Sequence, residues 1–350
     1  MNRKTSQRKS DMPPRFKNEE PTRPIKFGVS DFFDVINKLF FDASTRPPAP
    51  LPVVPTDWTA FMQPSPQLKL VWLGHSTFVL NMEGKNILLD PVFGESVSPL
   101  PVGWKRFQPA PVALEALPHI DFVVISHDHY DHLDETTVRF LAKTTSEFIV
   151  PSGMGAWLQR WGVVAERISE LDWHGSLQRG SLRFTATPAR HESGRGLFDR
   201  ARTLWASWVI TGEQQKLYYS GDSSYGKHFA DIGERYGPFD VSIIENGQYD
   251  LRWADSHMQP EETIQAAIDL RSKLFVPAHW GMFQLSTHAW DEPVVRSFQL
   301  AQQRGLPMAT PMLGELTQPD RIHATPWWQA ITRPARAKRG CAIFRCASAA

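Results

Sequence analysis

The sequence predicts an α/β fold on three observations. Short apolar, β-branched runs recur along the chain and read as buried strands. Helical segments at Glu135 to Lys143, Met154 to Trp161 and Pro260 to Arg271 lie between the later runs. Several of the runs end in His or Asp, and open α/β layers gather their sites just past strand ends. With 350 residues and 41% hydrophobic content the chain can bury one large core or two small ones, and the motifs spread over one continuous unit, expected from 69 to 318.

Residues 1–24 are polar and basic and lack the apolar stretch of a secretory signal, so a disordered tail is expected there. Over 25–68 the sequence reads as a helix followed by a connector. Ser30 is placed to cap a short amphipathic helix in which Phe32, Val35, Ile36, Leu39 and Phe40 share a face. That face either packs on the domain or rests on a membrane surface. The Pro-rich stretch from Arg46 to Pro55 then reads as an extended connector. Strand patterns begin at Lys69. Later, Pro260 with Glu261 and Glu262 makes a helix start, since proline suits the first turn and acids complement the dipole. The pattern fades after Gly314-Glu315, and 319–350 reads as an appended tail with a small basic cluster at Arg333, Arg336, Lys338 and Arg339.

The chemistry concentrates in Ile125-Ser126-His127-Asp128-His129-Tyr130-Asp131-His132, directly after the strand-like Phe122-Val123-Val124-Ile125. His127 and His129 are two apart and can point the same way from an extended backbone, while Asp131 and His132 begin a second group after a turn. Two adjacent metal sites follow. Imidazole nitrogen and carboxylate oxygen suit zinc, and manganese or iron also fit such donors. A single His-x-His is as well read as a chance pair of surface histidines; the added Asp-His after a buried strand is what favours metal.

Three further runs end in a candidate ligand. Leu182 to Arg190 leads to His191, Lys216 to Gly221 leads to Asp222, and Leu274 to Ala278 leads to His279. Each alone has an ordinary alternative, a capping Asp at a glycine turn or a His bonded to a backbone carbonyl. Their common placement supports ligation.

From about Trp72 to Glu315 the chain resembles the metallo-β-lactamase superfamily, and within it the N-acyl-phosphatidylethanolamine-hydrolysing phospholipase D group and its bacterial relatives. The resemblance is carried by Leu73-Gly74-His75-Ser76-Thr77-Phe78, Leu88 to Phe93, Lys105-Arg106-Phe107, Ile125 to Leu133 and Glu170-Leu171-Asp172-Trp173. It continues through Thr203 to Trp208, Gly221-Asp222-Ser223-Ser224-Tyr225, Gly237 to Asp240, His257 to Glu262 and Ala278-His279-Trp280-Gly281. The histidine motif specifies only the superfamily. The Trp-x-Ser-Trp and His-x-x-Pro-Glu-Glu stretches favour the phospholipase-like branch.

This resemblance implies a four-layer αββα sandwich of the metallo-β-lactamase type with two zinc ions between the sheets. It implies that His127, His129 and His191 hold one ion, Asp131, His132 and His279 the other, and that Asp222 bridges them. Asp90 matches a carboxylate supporting the ligand loop, and such partners fix imidazole tautomers. His257 matches a position near the substrate, although Ala254, Asp255 and Ser256 depart from the family pattern, and an exposed loop histidine is the alternative. The implied reaction is phosphodiester hydrolysis on a phosphodiester or lipid substrate, by a hydroxide bridging ions roughly 3.5 to 4 Å apart. Asp131 or Asp222 could pass a proton in the cycle. A lactonase or other ester hydrolase on the same site is the second reading, and a non-catalytic metal-binding or nucleic-acid-associated module the third. All seven ligand positions are filled, which counts against the third.

Arg190, Arg195, Arg200 and Arg202 lie near His191 and either grip phosphate oxygens or form ordinary surface ion pairs. Trp205, Trp208, Trp253 and Trp280 lie near site motifs, as lining for an apolar cleft or as core. A formal charge of +1 from 38 basic and 37 acidic residues argues against a nucleic-acid partner bound through net charge. No apolar run approaches a membrane-spanning length, so a soluble or peripherally membrane-attached protein is expected. The two cysteines, Cys341 and Cys346, lie outside every motif and fit a reducing cytoplasm.

Overall fold

A computed structural model describes residues 15–23, 28–99, 104–322 and 324–331. Residues 1–14 of the expected tail, the basic cluster and both cysteines lie outside the described residues. Two helices, α1 (Val29–Phe41) and α2 (Trp58–Met62), precede two sheets.

The first sheet runs through β1 (Lys69–Gly74), β2 (Thr77–Met82), β3 (Lys85–Leu89), β4 (Phe122–Val124), β5 (Glu147–Pro151) and β6 (Ile168–Leu171) in chain order. Its first three strands are antiparallel, and β3 to β6 are parallel. The second sheet takes β7 (Ser176–Arg179), β8 (Leu182–Thr187), β9 (Ser207–Thr211), β10 (Lys216–Tyr219), β11 (Val241–Glu245) and β12 (Phe275–Ala278), antiparallel as far as β10 and parallel to β12. A short β13 (Leu316–Thr317) pairs with β1.

Parallel neighbours need crossovers, and these carry the helices. α3 (Glu135–Leu141) and α4 (Gly155–Arg160) serve the first sheet, α5 (His228–Arg235) and α6 (Pro260–Asp269) the second, and α7 (Glu292–Arg304) follows β12. Side-chain alternation then builds the layers. On β1, Leu70 and Trp72 belong to the core shared with Phe184, Trp208 and Tyr218 of the second sheet, whereas Val71 and Leu73 pack with Val138, Leu141, Leu158 and Trp161 of α3, α4 and their surroundings. Ile264 and Val294 cover the far side of the second sheet. The strands read as continuous apolar runs because both faces of each sheet are covered. The expected helix–sheet–sheet–helix sandwich is the fold.

Four expectations outside the sheets change. Residues 15–23 are bound to the domain rather than free, through Phe16 N–H to Ala201 O at 2.9 Å and an Arg23–Asp255 ion pair at 2.8 Å. Ser30 lies inside α1, and Gly28 is its cap, because the Asp31 carboxylate accepts the Gly28 N–H at 2.8 Å. The expected α1 face is covered in part: Val35, Ile36 and Leu39 are half-buried, Phe32 is exposed, and the Phe40 side chain lies outside the described residues. The helix is held by Arg252 on Asp34 at 2.9 Å and by Gln284 Nε2 donating to Leu39 O at 2.9 Å.

The fourth change is at the C-terminal side, where the domain does not end at 318. Trp327 stacks on Trp280 at 5.5 Å and donates its Nε1–H to Thr310 O, and Trp328 is buried against Trp280 and Phe298. Two indoles bury enough apolar area to hold an irregular segment down. Trp328→Ala is therefore expected to cost about 3–5 kcal/mol. Urea titration reads this as a lowered midpoint, and a midpoint equal to wild type would make 319–331 an appendage.

Candidate metal centre

The ligand loop leaves β4 with its backbone held on both sides. Ile125 N–H donates to Ile149 O at 3.2 Å, Ala206 N–H to Ser126 O at 2.9 Å, and Trp208 Nε1–H to Ile125 O at 3.0 Å, so the loop is pinned to β5 and to the second sheet. His129 O then accepts from His132 N and Leu133 N, which turns the chain back and sets Asp131 and His132 apart from His127 and His129. Gly221 permits the approach of Asp222 from β10. Its φ of 56° is left-handed, and a Cβ there would lie 2.4 Å from the Ser126 Cβ.

Seven sequence-predicted ligands converge. One group of donor atoms, all within 4.8 Å of one another, comes from His127, His129, His191 and Asp222; a second comes from His75, Asp131, His132 and His279. Asp222 stands between them: its Oδ2 lies 3.1 Å from His132 Nε2, 3.7 Å from His191 Nε2 and 3.8 Å from His127 Nε2, and its Oδ1 lies 3.1 Å from His279 Nδ1. His75, Asp90 and His279 hold left-handed backbone at φ 52°, 35° and 63°, a strain that packing must sustain and that gathers at functional sites.

The donors fit divalent cations. His129 Nδ1 lies 2.9 Å from His127 Nε2 and 3.2 Å from His191 Nε2. His191 Nδ1–H donates to Ser256 O at 3.0 Å, so its neutral ring turns a lone pair toward the other two rings. Burial holds the pKa of His127, His191 and His279 well below the ordinary value, which keeps them in the ligating form. His132 Nε2 and Asp222 Oδ1 are buried without a hydrogen bond, although oppositely charged atoms are near. A cation between such lone pairs answers the orphaned atoms.

The carboxylates stay charged for a different reason. Burial works against the Asp131 anion, but His132 and His75 beside it hold its pKa well below the usual range. Burial likewise opposes the Asp222 anion, and His132 and His279 outweigh it. Burial also opposes positive charge on His132, while Asp222 and Asp131 favour it and raise the ring's pKa, and a divalent ion at Nε2 would supply that charge in place of the proton.

Behind the ligands stand two buried carboxylates. Asp90, the expected support, accepts from Ser126 N at 2.7 Å, Ser126 Oγ at 2.5 Å and Tyr219 OH, and its Oδ2 lies 2.6 Å from His132 Nδ1. Glu245 was not singled out in the sequence. It ends β11 and accepts from Ser223 N at 3.1 Å and Met258 N at 2.6 Å, with His257 Nδ1 at 3.0 Å from its Oε2. The signal existed, since Val241 to Glu245 is one more apolar run ending in a polar donor. Glu245 carries His257 into the site, where its ring stacks on His279 at 5.1 Å and lies 5.2 Å from His191, so His257 is no exposed loop residue. Burial disfavours the His257 cation, but Glu245 holds its pKa up at about 9. His75 is also additional: its Nε2 lies 2.9 Å from Asp131 Oδ2.

The arginines near His191 are engaged with the protein. Arg195 donates to Asp128 O at 2.8 Å and Leu133 O at 2.7 Å and lies 3.9 Å above the Tyr130 ring, Arg190 donates to Pro21 O at 2.8 Å, and Arg200 pairs with Glu192 at 2.5 Å. Of the four tryptophans near site motifs, Trp205, Trp208 and Trp280 are buried, and Trp205 also lines, with Trp253, a cavity of about 670 Å³ that reaches His191 and Ser256. No helix among the described residues is long and apolar enough to cross a membrane.

The family model described as the Beta-lactamase superfamily domain matches residues 85–280, more than half of the chain. An uncharacterized protein of Mycobacterium tuberculosis is 43% identical over 295 residues, covering 82% of this chain and 78% of the relative. The N-acyl-phosphatidylethanolamine-hydrolyzing phospholipase D 1 of Caenorhabditis elegans is 35% identical over 229 residues, 62% of this chain and 64% of that protein. Igni18, a metallo hydrolase of the hyperthermophilic archaeon Ignicoccus hospitalis, shares the fold with a TM-score of 0.56 at 23% identity, covering 72% of this chain and 98% of that one. That fold implies divalent metal ions. The chain belongs to the beta-lactamase superfamily, as one of its metal-dependent hydrolases.

Proposed function

We infer that the protein is a zinc-dependent phosphodiesterase of phospholipase D type acting on N-acyl-phosphatidylethanolamine-like lipids. The observation that carries the chemistry is the pair of four-residue donor groups, with Asp222 a member of one and 3.1 Å from His132 and His279 of the other. His127, His129 and His191 would hold one ion, Asp131, His132 and His279 the other, with Asp222 shared. Bound divalent ions supply a water of near-neutral pKa and neutralise charge growing on a phosphoryl oxygen.

The chain's own residues do the rest. Asp90 and Ser126 fix the imidazoles of the ligand loop, and His75 fixes the Asp131 carboxylate. His257, anchored through Nδ1 on Glu245, keeps Nε2 for a substrate oxygen, and its raised pKa suits it to give a proton to the leaving group. The lipid assignment is supported by the Caenorhabditis elegans relative and by the His257-to-Glu262 motif, whose Pro260–Glu262 part opens α6 directly after His257. Exposed Phe32, Phe33 and Leu251 support peripheral contact with a lipid surface.

The test is hydrolysis of bis(p-nitrophenyl) phosphate and N-acyl-phosphatidylethanolamine by the purified chain, beside a lactone panel, with bound metal quantified. Phosphodiester turnover that tracks about two ions per chain is expected. Metal-loaded protein that cleaves neither phosphodiester overturns the assignment, and lactone turnover in that case makes it an ester hydrolase.

A further inference from the structure

We propose that Asn18, carried in by the N-terminal segment, is a positioning residue that holds the His191 backbone in register with the metal centre. The proposal rests on the metal-centre reading above and adds to it a residue 173 positions away in the chain.

Residues 15–20 run with alternating exposure: Arg15, Lys17 and Glu19 face outward, and Phe16, Asn18 and Glu20 turn inward. The Asn18 amide meets both backbone polar groups of one ligand. Its Nδ2 donates to His191 O at 2.8 Å, and its Oδ1 accepts from His191 N at 3.2 Å, as a neighbouring strand would. The same Oδ1 accepts from Trp205 Nε1 at 2.9 Å, which fixes the amide plane against a cavity-lining indole.

His191 draws its backbone partner from outside the strands. His127 and His132 follow β4 and are braced by Asp90 and Ser126. His191 lies early in the irregular excursion from β8 to β9, where among the described residues no strand pairs with its peptide groups. Its ring is held separately, through Nδ1 on Ser256 O at 3.0 Å. Ring and backbone are thus fixed by different segments, and only the backbone clamp comes from Asn18.

The segment does not depend on Asn18 for its own attachment. Phe16 N–H reaches Ala201 O, Lys227 N–H reaches the Glu20 carboxylate at 2.7 Å, and Arg23 pairs with Asp255. Asn18→Ala therefore removes the clamp and leaves the segment in place. His191 belongs to one donor group only, so the effect falls on one ion.

The experiment measures divalent-ion affinity of the full-length apo chain by competition with a chromophoric chelator, together with the visible spectrum of the Co(II)-loaded protein. In Asn18→Ala one of two ions is expected to bind about 10–100-fold more weakly, with a changed Co(II) band, while the other keeps its affinity. Asn18→Asp, which retains the acceptor but sets a carboxylate against His191 O, is expected to act in the same direction. Arg23→Ala, which loosens the same segment elsewhere, is expected to leave both affinities unchanged. Two wild-type affinities and an unchanged spectrum in both Asn18 variants overturn the proposal alone, as does an equal loss in Arg23→Ala. A wild-type chain that binds no divalent ion overturns the metal-centre reading and this proposal with it.

Discussion

Asp222→Ala is expected to abolish hydrolysis and to weaken metal binding while leaving the fold in place. Its carboxylate lies within 4 Å of His127, His132, His191 and His279, and it faces both donor groups at once. Without it Asp131 is the remaining carboxylate of the two donor groups, and His127, His129 and His191 are left as rings alone. Divalent ions held at both groups would then lack the carboxylate charge that offsets their mutual repulsion. Turnover should fall at least about a thousandfold, equivalent to roughly 4 kcal/mol of lost transition-state stabilisation. Bound metal should fall from about two ions per chain to below one. Asp222→Asn separates charge from shape, because it keeps the side-chain volume and is expected to be as inactive. Circular dichroism guards against unfolding. Wild-type turnover in Asp222→Asn would remove the carboxylate from the mechanism.

What the sequence made legible follows the reach of local rules. β4, β8, β10 and β12 were visible because each is a short apolar run, and a residue just past a strand is placed by that strand. The same rule leads to His127, His191, Asp222 and His279. Glu245 obeys it as well and was passed over because an acidic residue closing an apolar run looks like an ordinary strand end. His75 lay in a quoted motif, but its part depends on a left-handed backbone that turns its ring toward Asp131, and composition does not report φ. Asn18 gives no signal at all, since an asparagine in a polar segment reads as solvated chain until its partner is known. Trp327 and Trp328 fail for a related reason. A single pair of indoles fixes their segment, and periodicity cannot register a contact made once.

Asp90→Asn is expected to be the most damaging change to the fold among the site residues, and to weaken metal binding through His132 without touching a metal. Asp90 is fully buried, and three donors besides the Ser126 N–H point at it: the Ser126 and Tyr219 hydroxyls and the His132 ring. A carboxylate can accept from all of them. An amide offers one oxygen and puts an NH2 group where donors already converge, so at least one buried donor loses its partner and another is met by a like group. Breaking a buried charged cluster in this way costs about 3–5 kcal/mol. The affinity of the ion held by His132 should drop about 10–100-fold, because the ring loses the partner that sets its tautomer and plane. Tyr219→Phe removes a single donor and should cost only about 1–2 kcal/mol with both affinities intact. Guanidinium titrations of both variants, with and without excess divalent ion, separate the two effects. Ions that bind only the folded chain raise its stability with the logarithm of their concentration over the dissociation constant. The stabilisation gained from metal should therefore shrink in Asp90→Asn and stay at the wild-type value in Tyr219→Phe. An Asp90→Asn midpoint within about 1 kcal/mol of wild type would mean that the ligand loop is held by its bonds to β5, Ala206 and the Trp208 indole instead.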